Sequence, residues 1–535
     1  MDTELFIGGY VYSPTNPDAT AIAITDGVVS WIGTDDVGRA LHPGARETQL
    51  DGRFVAPAFV DPHVHLTTTG LNSSGLDLRD VRSRDEALQA LTDHARACAP
   101  GRLIWARGWD DSQWPERGPL TTVDIDAAVG PRPAYVARID EHSAAASTAL
   151  RDLCKDLSTA TGFDPDGPLT ADAHHAVRAT ARGLLDPADR TAAQAAACRE
   201  ALANGIVAVH ENGGPDIGGI DDFRALADLA TPLMIRRYWG QAVADPDAAT
   251  ALLAETGADA LGGDLFIDGS LGSHTAWLTE SYADRDTLGI GYLDADQVRA
   301  HLHACTAAGI QAGFHAIGDA AVAVVTDALV SVAGELGRDA VVRRAHRIEH
   351  AEMVTAEQTE TLAALGVVAS MQPLFDALWG GPEQMYATRL GTDRGLGLNN
   401  FAQLARAGVG LAFGSDSPVT PLRPWETVRA AAHHHTETSR VSPRAAFAAA
   451  TRGGWRAAGS RDGEIGTLVP GAPATFAVWE VDRLVVAAGN SRVQRWSTDP
   501  RSRVPALPDL EPGAVLPTCV RTVLAGTTVY ETNVA

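Results

Sequence analysis

The chain has 535 residues, of which 43 are basic and 67 acidic, giving a formal net charge of −24 at pH 7. That acidic balance excludes nucleic-acid phosphates and an anionic membrane as the main partner. The length exceeds the roughly 250–300 residues that one simple core supports, so two or more structural units or one large barrel are expected. The five cysteines form no CxxC pair and no basic-then-apolar signal opens the chain, so a cytoplasmic protein with reduced thiols is expected.

Short β-rich runs mark both ends of the chain. The first segment contains "LFIGGYVYS" and "ATAIAITDGVVSWIG", and the last contains "IGTLVPGAPATFAVWE" and "VRTVLAGTTVYE". Asp-Gly, Pro-Gly and Ala-Gly breaks in these segments are typical of tight turns between strands. Both ends are therefore predicted to be β-structured, whereas the middle of the chain alternates between helix and strand signals.

The stretch "FVDPHVHL" places His63 and His65 two residues apart, directly after the first β segment. Side chains in an extended strand repeat every two residues, so both imidazoles are expected to point to the same side. Imidazole nitrogen suits zinc and its first-row neighbours, so the pair can act as a two-pronged chelate. Two histidines that merely happen to stand two apart are the alternative, and further ligands must be sought elsewhere.

The middle of the chain alternates helix and strand signals. A capping box from Ser83 to Glu86 opens one predicted helix, and Gly309 and Gly366 end two others. With about residues 67–185 set aside as an insertion after the first strand, eight strand runs alternate with helices, which predicts an α/β fold with a (β/α)8 TIM-type barrel. The eight runs are "AFVDPHVH", "GIVAVHE", "PLMIRRYW", "DLFIDG", "IQAGFHA", "AHRIEHAE", "GVVASMQP" and "VGLAFGSD".

Ionisable side chains lie at or near the ends of several predicted strands. Chemistry in such a barrel sits at the carboxyl ends of its strands. Burying so many ionisable groups on one rim without a metal or a partner would be costly. The groups are His63, His65, His210, Glu211, Asp264, Asp268, His315, His350 and Asp416.

Five motifs, in this order, resemble the amidohydrolase superfamily: "FVDPHVHL", "DLFIDGSLGSHTA", "GFHAIGDAA", "RIEHAE" and "FGSDSPV". The similarity is greatest to the amidohydrolase-3 type, which includes enzymes like N-substituted formamide deformylase, and it covers nearly the whole chain. It implies a metal-dependent hydrolase whose β-rich ends join in one composite β-sandwich. The implied domains are residues 1–56 and 460–535 for the sandwich and residues 57–459 for the barrel.

The resemblance also implies one or two divalent ions, usually zinc, at the barrel mouth. A bound metal lowers the pKa of water from about 16 towards about 7. Asp416 is expected to be the catalytic residue, because a carboxylate beside that water can take its proton and pass it to the leaving group. The ligands carried over from the family are His63, His65, His315, His350 and Asp416.

Asp264 departs from the family pattern. Many members carry a lysine at this point of strand four, which becomes carboxylated and bridges two metals, whereas "DLFIDGS" has an aspartate there. A carboxylate can replace the carbamate as an anionic oxygen ligand, although its side chain is shorter. We expect Asp264 to be a ligand, either bridging two closer ions or serving a single metal. A solvated aspartate at the start of the strand is the alternative.

Four residues are predicted to contact the substrate. His142 lies where related sequences keep a pocket histidine in an insertion, and Ser270 and His274 belong to the glycine- and hydroxyl-rich loop after strand four. Trp109 is one of several aromatic residues near the predicted rim that favour an apolar substrate group. The alternatives are a turn without substrate contacts and packing of the insertion on the barrel. The run His433 to His435 is predicted to be a solvated helix face.

The predicted reaction is hydrolysis of a non-peptide C–N bond, in a small linear amide or N-substituted formamide, by metal-activated water. Deamination, or ester or phosphotriester hydrolysis, on the same site stays open because a fold does not fix its substrate. A non-catalytic binding protein on a degenerate barrel is the alternative from another class. The expected partner is a small-molecule substrate; the substrate's identity, the metal's identity and number, and a homodimer are left open by the sequence.

Overall fold

The first segment of the chain is β-rich, as expected. The structure is a computed structural model that describes residues 2–99, 101–486 and 504–532. The four-stranded sheet of this segment has the order β4-β3-β1-β5. The elements are β1 Thr3–Ile7, β2 Tyr10–Val11, β3 Ala21–Thr25, β4 Val28–Gly33, α1 Asp35–Leu41, β5 Arg46–Gln49 and β6 Phe54–Pro57.

A strand that contains His63 and ends just before His65 follows, and an insertion with its own sheet comes next. The strand is β7 Phe59–Val64, and α2 Leu66–Ser74 leads from it into the insertion. The sheet of the insertion has five strands in the order β12-β11-β10-β9-β8. Its elements are β8 Leu76–Asp77, α3 Arg84–Ala97, β9 Ile104–Trp109, α4 Thr122–Val129, β10 Ala134–Arg138, β11 Ser143–Ala146, α5 Thr148–Arg151, β12 Leu169–Thr170 and α6 Ala171–Gly183.

Strands and helices then alternate through the middle of the chain. The strands are β13 Ile206–Gly213, β14 Met234–Trp239, β15 Ala260–Leu261, β16 Gly313–Ala316, β17 Arg347–His350, β18 Val368–Met371 and β19 Gly410–Phe413. The helices are α7 Pro187–Ala203, α8 Ile220–Ala225, α9 Pro246–Thr256, α10 Ala295–Ala308, α11 Asp319–Leu336, α12 Arg338–Val342, α13 Ala356–Ala364, α14 Pro373–Trp379, α15 Met385–Leu390, α16 Thr392–Gly395, α17 Phe401–Ala407, α18 Pro424–Ala432, α19 Pro443–Ala450 and α20 Arg452–Ala457.

Strand β7 and the seven strands β13 to β19 pair in parallel around a ring. They form two four-stranded sheets, β15-β14-β13-β7 and β16-β17-β18-β19. Parallel bridges join the sheets at one seam, Leu261 to Ala312 and Phe266 to His315, and at the other seam, Val64 to Ser417. We call these eight strands the strand ring. Because all eight strands are parallel, their carboxyl ends lie on one side of the α/β fold.

The fourth strand of the ring differs from the prediction. The run "DLFIDG" was expected to be a strand, but regular strand structure is confined to β15, which ends before Gly262 and Gly263. Gly263 has a φ of 73°, a left-handed conformation that interrupts a strand. A Cβ on Gly262 would lie 2.2 Å from the Gly313 nitrogen, so glycine permits the close approach of strand five. The chain leaves the regular ladder just before Asp264.

The two ends of the chain meet in one sheet. Its order is β2-β6-β20-β23-β24, and β20 lies antiparallel to both β6 and β23. Trp479 of β20 packs edge-on against Phe59 of the ring at 5.8 Å between ring centroids, so this sheet is fixed to the first ring strand. The last elements are β20 Phe476–Glu480, β21 Leu484–Val485, β22 Leu507–Pro508, β23 Thr518–Leu524 and β24 Thr527–Glu531. Residues 487–503 and 533–535 of the predicted last domain lie outside the described residues.

The helix that follows the two histidines packs very closely on the helix before the second strand. Gly70 of α2 faces Ala193 of α7, and a Cβ on Gly70 would lie 1.8 Å from the Ala193 carbonyl oxygen. This oxygen belongs to the helix backbone and cannot turn aside. Because Gly70 has no side chain, α2 and α7 can lie this close together. Their spacing also positions His65, which directly precedes α2.

We predict that Gly70→Ala will lower the free energy of unfolding by about 1–3 kcal/mol, because the two helices must separate to admit the methyl group. Gly183→Ala is the matched control, since a Cβ there meets no described atom within 4 Å and alanine favours helix over glycine. The midpoint of urea unfolding measures both. Equal midpoints for Gly70→Ala and the wild type would contradict the close contact.

Candidate metal centre and active site

The backbone fixes the two histidines of the first strand against the end of the eighth. The Asp416 N–H donates to the His63 carbonyl at 2.9 Å, and the His65 N–H donates to the Ser417 carbonyl at 2.8 Å. The Asp61 carboxylate accepts the N–H groups of His63 at 3.2 Å and Ser415 at 3.0 Å. These bonds across the seam bring His63, His65 and Asp416 to one place.

Asp264 lies among four imidazoles. Its Oδ2 is 3.4 Å from His63 Nε2 and 3.2 Å from His65 Nε2. Its Oδ1 is 3.3 Å from His315 Nδ1 and 3.8 Å from His350 Nε2. The residue is only 5% exposed, so a solvated aspartate, the alternative left open by the sequence, does not describe it.

Asp416 approaches the same pair of imidazoles from the eighth strand. Its Oδ1 lies 3.3 Å from Nε2 of His63 and 3.3 Å from Nε2 of His65. The two aspartates therefore flank the two histidines of the first strand. The structure thus brings together all six residues predicted as metal ligands, namely His63, His65, Asp264, His315, His350 and Asp416.

Further buried side chains orient two of these imidazoles. Glu349 accepts a hydrogen bond from His63 Nδ1 at 3.0 Å, which turns Nε2 towards the aspartates. The Arg347 guanidinium holds the same carboxylate at 2.8 Å. The Gln372 side-chain oxygen accepts from His350 Nδ1 at 2.8 Å, so Nε2 of His350 faces Asp264. Such partners fix the ring orientation of metal-binding histidines.

The electrostatics of the cluster favour positive charge at its centre. Burial alone would lower the pKa of His65, but Asp264 and Asp416 raise it to about 9. Burial alone would raise the pKa of Asp264, but the surrounding imidazoles, His63 first, hold it well below its usual value. Burial likewise opposes ionisation of Glu349, whose pKa Arg347 and His63 hold at about 2. The carboxylates therefore stabilise a cation between them, either a proton on imidazole or a metal ion.

The residues present fit a divalent metal. Two groups of three ligand atoms each lie within 4.8 Å of one another: His63 with Asp264 and His350, and His63 with His65 and Asp416. Among the described residues, His63 Nε2 and Asp416 Oδ1 are buried without a hydrogen-bond partner although they face each other. Nitrogen and carboxylate donors of this kind suit zinc and its neighbours. His315 contacts Asp264 but belongs to neither group.

A cavity of about 490 Å³ opens beside this cluster, and we call it the catalytic cavity. The ring supplies one wall and the insertion supplies the other. His142 lies in this cavity, with its ring centroid 5.3 Å from that of His315, and burial lowers its pKa to about 3. The lining residues are His65, Thr68, Asp140, Glu141, His142, His175, Arg178, Arg182, Ile217, Asp264, Phe266, His315, His350, Asp416, Pro418 and Val419.

A second, mainly apolar pocket of about 340 Å³ adjoins the same cluster. It shares Asp140, His142, His350, Asp416 and Val419 with the catalytic cavity. Helices α14 and α15 supply most of its apolar surface. Its remaining lining residues are Ser270, Leu271, Gly272, Ile317, Glu352, Phe375, Trp379, Met385 and Tyr386.

The other predicted substrate contacts are divided between cavities. Ser270 lines the apolar pocket, where its hydroxyl donates to Asp140 at 3.0 Å. Trp109 and His274 line neither cavity of the cluster and instead border a separate, more open one. Trp109 packs in the core of the insertion and donates to the Val136 carbonyl at 3.0 Å, and His274 lies 3.0 Å from Asp284. Trp109 therefore packs in the insertion and His274 pairs with Asp284, and neither residue lines the catalytic cavity.

The sequence did not predict several residues that orient the imidazoles or line the catalytic cavity, and one prediction from the sequence was wrong. Glu349 and Gln372 orient imidazoles, but no spacing rule marks such partners before the fold is known. Helix α6 turns a row of polar side chains into the catalytic cavity, and their spacing of three and four residues was the available signal. The run His433 to His435 was predicted to be a solvated face, and this is wrong for His434, which is only 1% exposed and lies 3.2 Å from Asp376. His435 is exposed.

The strand ring with an imidazole and carboxylate cluster at the carboxyl ends of its strands defines a class of metal-binding α/β proteins. The model of the amidohydrolase family matches residues 46–530, and the chain belongs to that family. The resemblance drawn from the five motifs is thereby confirmed.

Individual relatives agree with this assignment. Protein LONG AFTER FAR-RED 3 of Arabidopsis thaliana is 30% identical over 500 residues, which cover 86% of this chain and 84% of that protein. N-substituted formamide deformylase of Arthrobacter pascens is 23% identical over 454 residues, 79% of this chain and 81% of that protein. The solved structure of an uncharacterised metal-dependent hydrolase from Pyrococcus furiosus has a TM-score of 0.66 and 26% identity, covering 89% of this chain and 98% of that chain.

We predict that Glu349→Gln will lower the free energy of unfolding by about 3 kcal/mol, because Arg347 then stays buried without its counter-ion. Loss of the charged partner of His63 should also weaken metal retention about 10–100-fold. Glu47→Gln is the matched control, because Glu47 forms an exposed pair with Arg39 at 3.3 Å, and such pairs contribute about 0–1 kcal/mol.

Urea unfolding and metal content after dialysis measure the two effects. The orienting role of Glu349 is contradicted if both substitutions change stability and metal content by the same small amount.

Proposed function

We propose that this protein is a metal-dependent hydrolase that cleaves the non-peptide C–N bond of a small linear amide or N-substituted formamide with an apolar substituent. The observation that carries the proposal is the convergence of four imidazoles and two carboxylates on one buried centre. Membership of the amidohydrolase family supports it.

The proposal includes the organisation of the chain. Residues 57–459 would form the (β/α)8 barrel, with the insertion at about residues 67–185 covering its mouth. Residues 1–56 and 460–535 would form the composite β-sandwich. The parallel bridges at both seams of the strand ring, and the sheet that contains strands from both chain ends, support this division.

The metal site of the proposal consists of His63, His65, Asp264, His315, His350 and Asp416. His63, His65, Asp264, His350 and Asp416 supply the two groups of mutually close ligand atoms. Zinc is the ion we propose. When bound there, a divalent ion supplies a Lewis acid for a carbonyl oxygen and lowers the pKa of a water molecule towards about 7. Glu349 and Gln372 hold the imidazoles in the orientation this requires.

Asp416 would move the proton. Water attacks the amide carbon, forming a C–O bond, while the Asp416 carboxylate accepts the proton that the water loses. The C–N bond then breaks, and Asp416 returns the proton to the departing nitrogen. The products are a carboxylic acid, formic acid in the case of a formamide, and an amine. The buried position of Asp416, only 6% exposed, keeps bulk water away from this transfer.

The substrate class has two supports. The pocket formed by Phe375, Trp379, Met385 and their neighbours adjoins Asp416 and suits an apolar substituent. A relative that is 23% identical over most of both chains is named for deformylation of N-substituted formamides. His142 lines both cavities and Ser270 lines the apolar pocket, and these two residues are our proposed substrate contacts.

No helix among the described residues is both long and apolar enough to cross a membrane. The cytoplasmic location and a homodimer stay predictions from the sequence.

We predict that Asp264→Ala will lose bound metal, because the substitution removes the carboxylate that contacts all four imidazoles. If Asp264 bridges two ions, one of two should be lost along with most turnover. Asp327→Ala, at an exposed position of α11, is the control. Metal quantification and amine release are measured on the same samples. Unchanged metal content and rate would show that Asp264 is not a ligand.

We predict that Asp416→Asn will reduce turnover at least about 100-fold while most of the metal stays bound, because an amide keeps the oxygen but cannot accept the proton. Asp327→Asn is the control with the same chemical change. An unimpaired rate removes the proton-transfer role. Parallel loss of metal and turnover would assign Asp416 to metal binding alone.

A further inference from the structure

Helix α6 of the insertion presents a polar row to the catalytic cavity. His175, Arg178 and Arg182 all line it, and their separations of three and four residues place them on one face of the helix. This wall belongs to the insertion and contributes none of the proposed metal ligands. Its side chains are therefore free to serve the substrate.

The two arginines are buried cations with few partners. Each is only 7% exposed. Within the described residues, Arg178 makes one hydrogen bond, from Nη2 to the Asp216 carbonyl, and Arg182 makes one, from Nη2 to the Thr68 hydroxyl. Nε of both residues and Nη1 of Arg182 are buried without an acceptor there. Burying a guanidinium that lacks acceptors is costly, so an acceptor is expected in the functional state.

Neighbouring carboxylates do not balance both charges. Neither arginine forms an ion pair within 4.0 Å in the described part of the chain, and Asp222, which acts on Arg182, is paired with Arg190 at 3.3 Å. Glu141 lines the same cavity and its charge acts on both arginines. The charge of Asp216 also acts on Arg178. Because none of these described carboxylates forms an ion pair with Arg178 or Arg182, both guanidinium groups keep N–H donors for an anionic ligand.

We propose that the substrate carries a carboxylate, which binds to Arg178 and Arg182 on the α6 side of the catalytic cavity. This inference rests on the proposed hydrolase function and narrows its substrate class. The scissile amide lies at the cluster of histidines and aspartates, and the apolar substituent enters the pocket of α14 and α15, which adjoins the cluster. Guanidinium groups bind carboxylates through paired N–H donors, so they select for an anion at this end of the substrate.

The test uses two probes that differ only at the anionic group, N-formylphenylalanine and N-formylphenylalaninamide, each as both enantiomers. Binding to the metal-loaded full-length protein is measured by calorimetry, and amine release is measured separately. We expect the acid to bind at least about tenfold more tightly than the amide. The double variant Arg178→Gln, Arg182→Gln should bring this ratio close to one. Arg199→Gln, on the exposed side of α7, should leave the ratio unchanged.

A wild-type protein that binds the amide as tightly as the acid overturns the proposal, and this result needs no variant to fold. A preference for the acid that survives in the double variant overturns it as well. If the protein hydrolyses both probes and binds them equally tightly, the hydrolase function stands and the carboxylate site is rejected. If the protein prefers to bind the acid but releases amine from no probe, the carboxylate site stands and the proposed reaction is rejected.

Discussion

Two buried carboxylates that face four imidazoles from the ends of three strands are the constraint on which this site depends. Asp264 and Asp416 place negative charge between His63 and His65, with distances of 3.2–3.4 Å from oxygen to nitrogen. A cation must balance this charge in the interior. Three features agree with this need for a cation. The imidazole rings are held in fixed orientations, Nε2 of His63 has no hydrogen-bond partner among the described residues, and the pKa of His65 is raised.

The fold supplies the constraint through backbone pairing between distant parts of the chain. The seam between the first and eighth strands brings His63 to Asp416, and the seam between the fourth and fifth strands brings Asp264 to His315. Each seam is a short stretch of parallel pairing, so small shifts would separate the ligands. The sheet built from both chain ends packs Trp479 against Phe59 and holds the base of the first ring strand.

The sequence was informative wherever periodicity or strand-end chemistry decided the outcome. The period of two in "FVDPHVHL" correctly placed both imidazoles on one side, and seven of the eight predicted strand runs coincide with strands of the ring. Prediction from the sequence failed where tertiary packing determined the structure. Gly262 and Gly263 ended the fourth strand early, and Trp109 went into the core of the insertion. Arg178 and Arg182 could not be told from a solvated helix face until the insertion was seen to fold over the ring.

The central claim is that one buried cluster holds the metal. Anomalous X-ray diffraction from crystals of the metal-loaded protein, recorded on both sides of the zinc absorption edge, tests it directly. The account predicts an anomalous peak in contact with Nε2 of His63 and of His65 and with the carboxylates of Asp264 and Asp416. A fully loaded crystal with its strong peaks elsewhere, and none at this cluster, would contradict it.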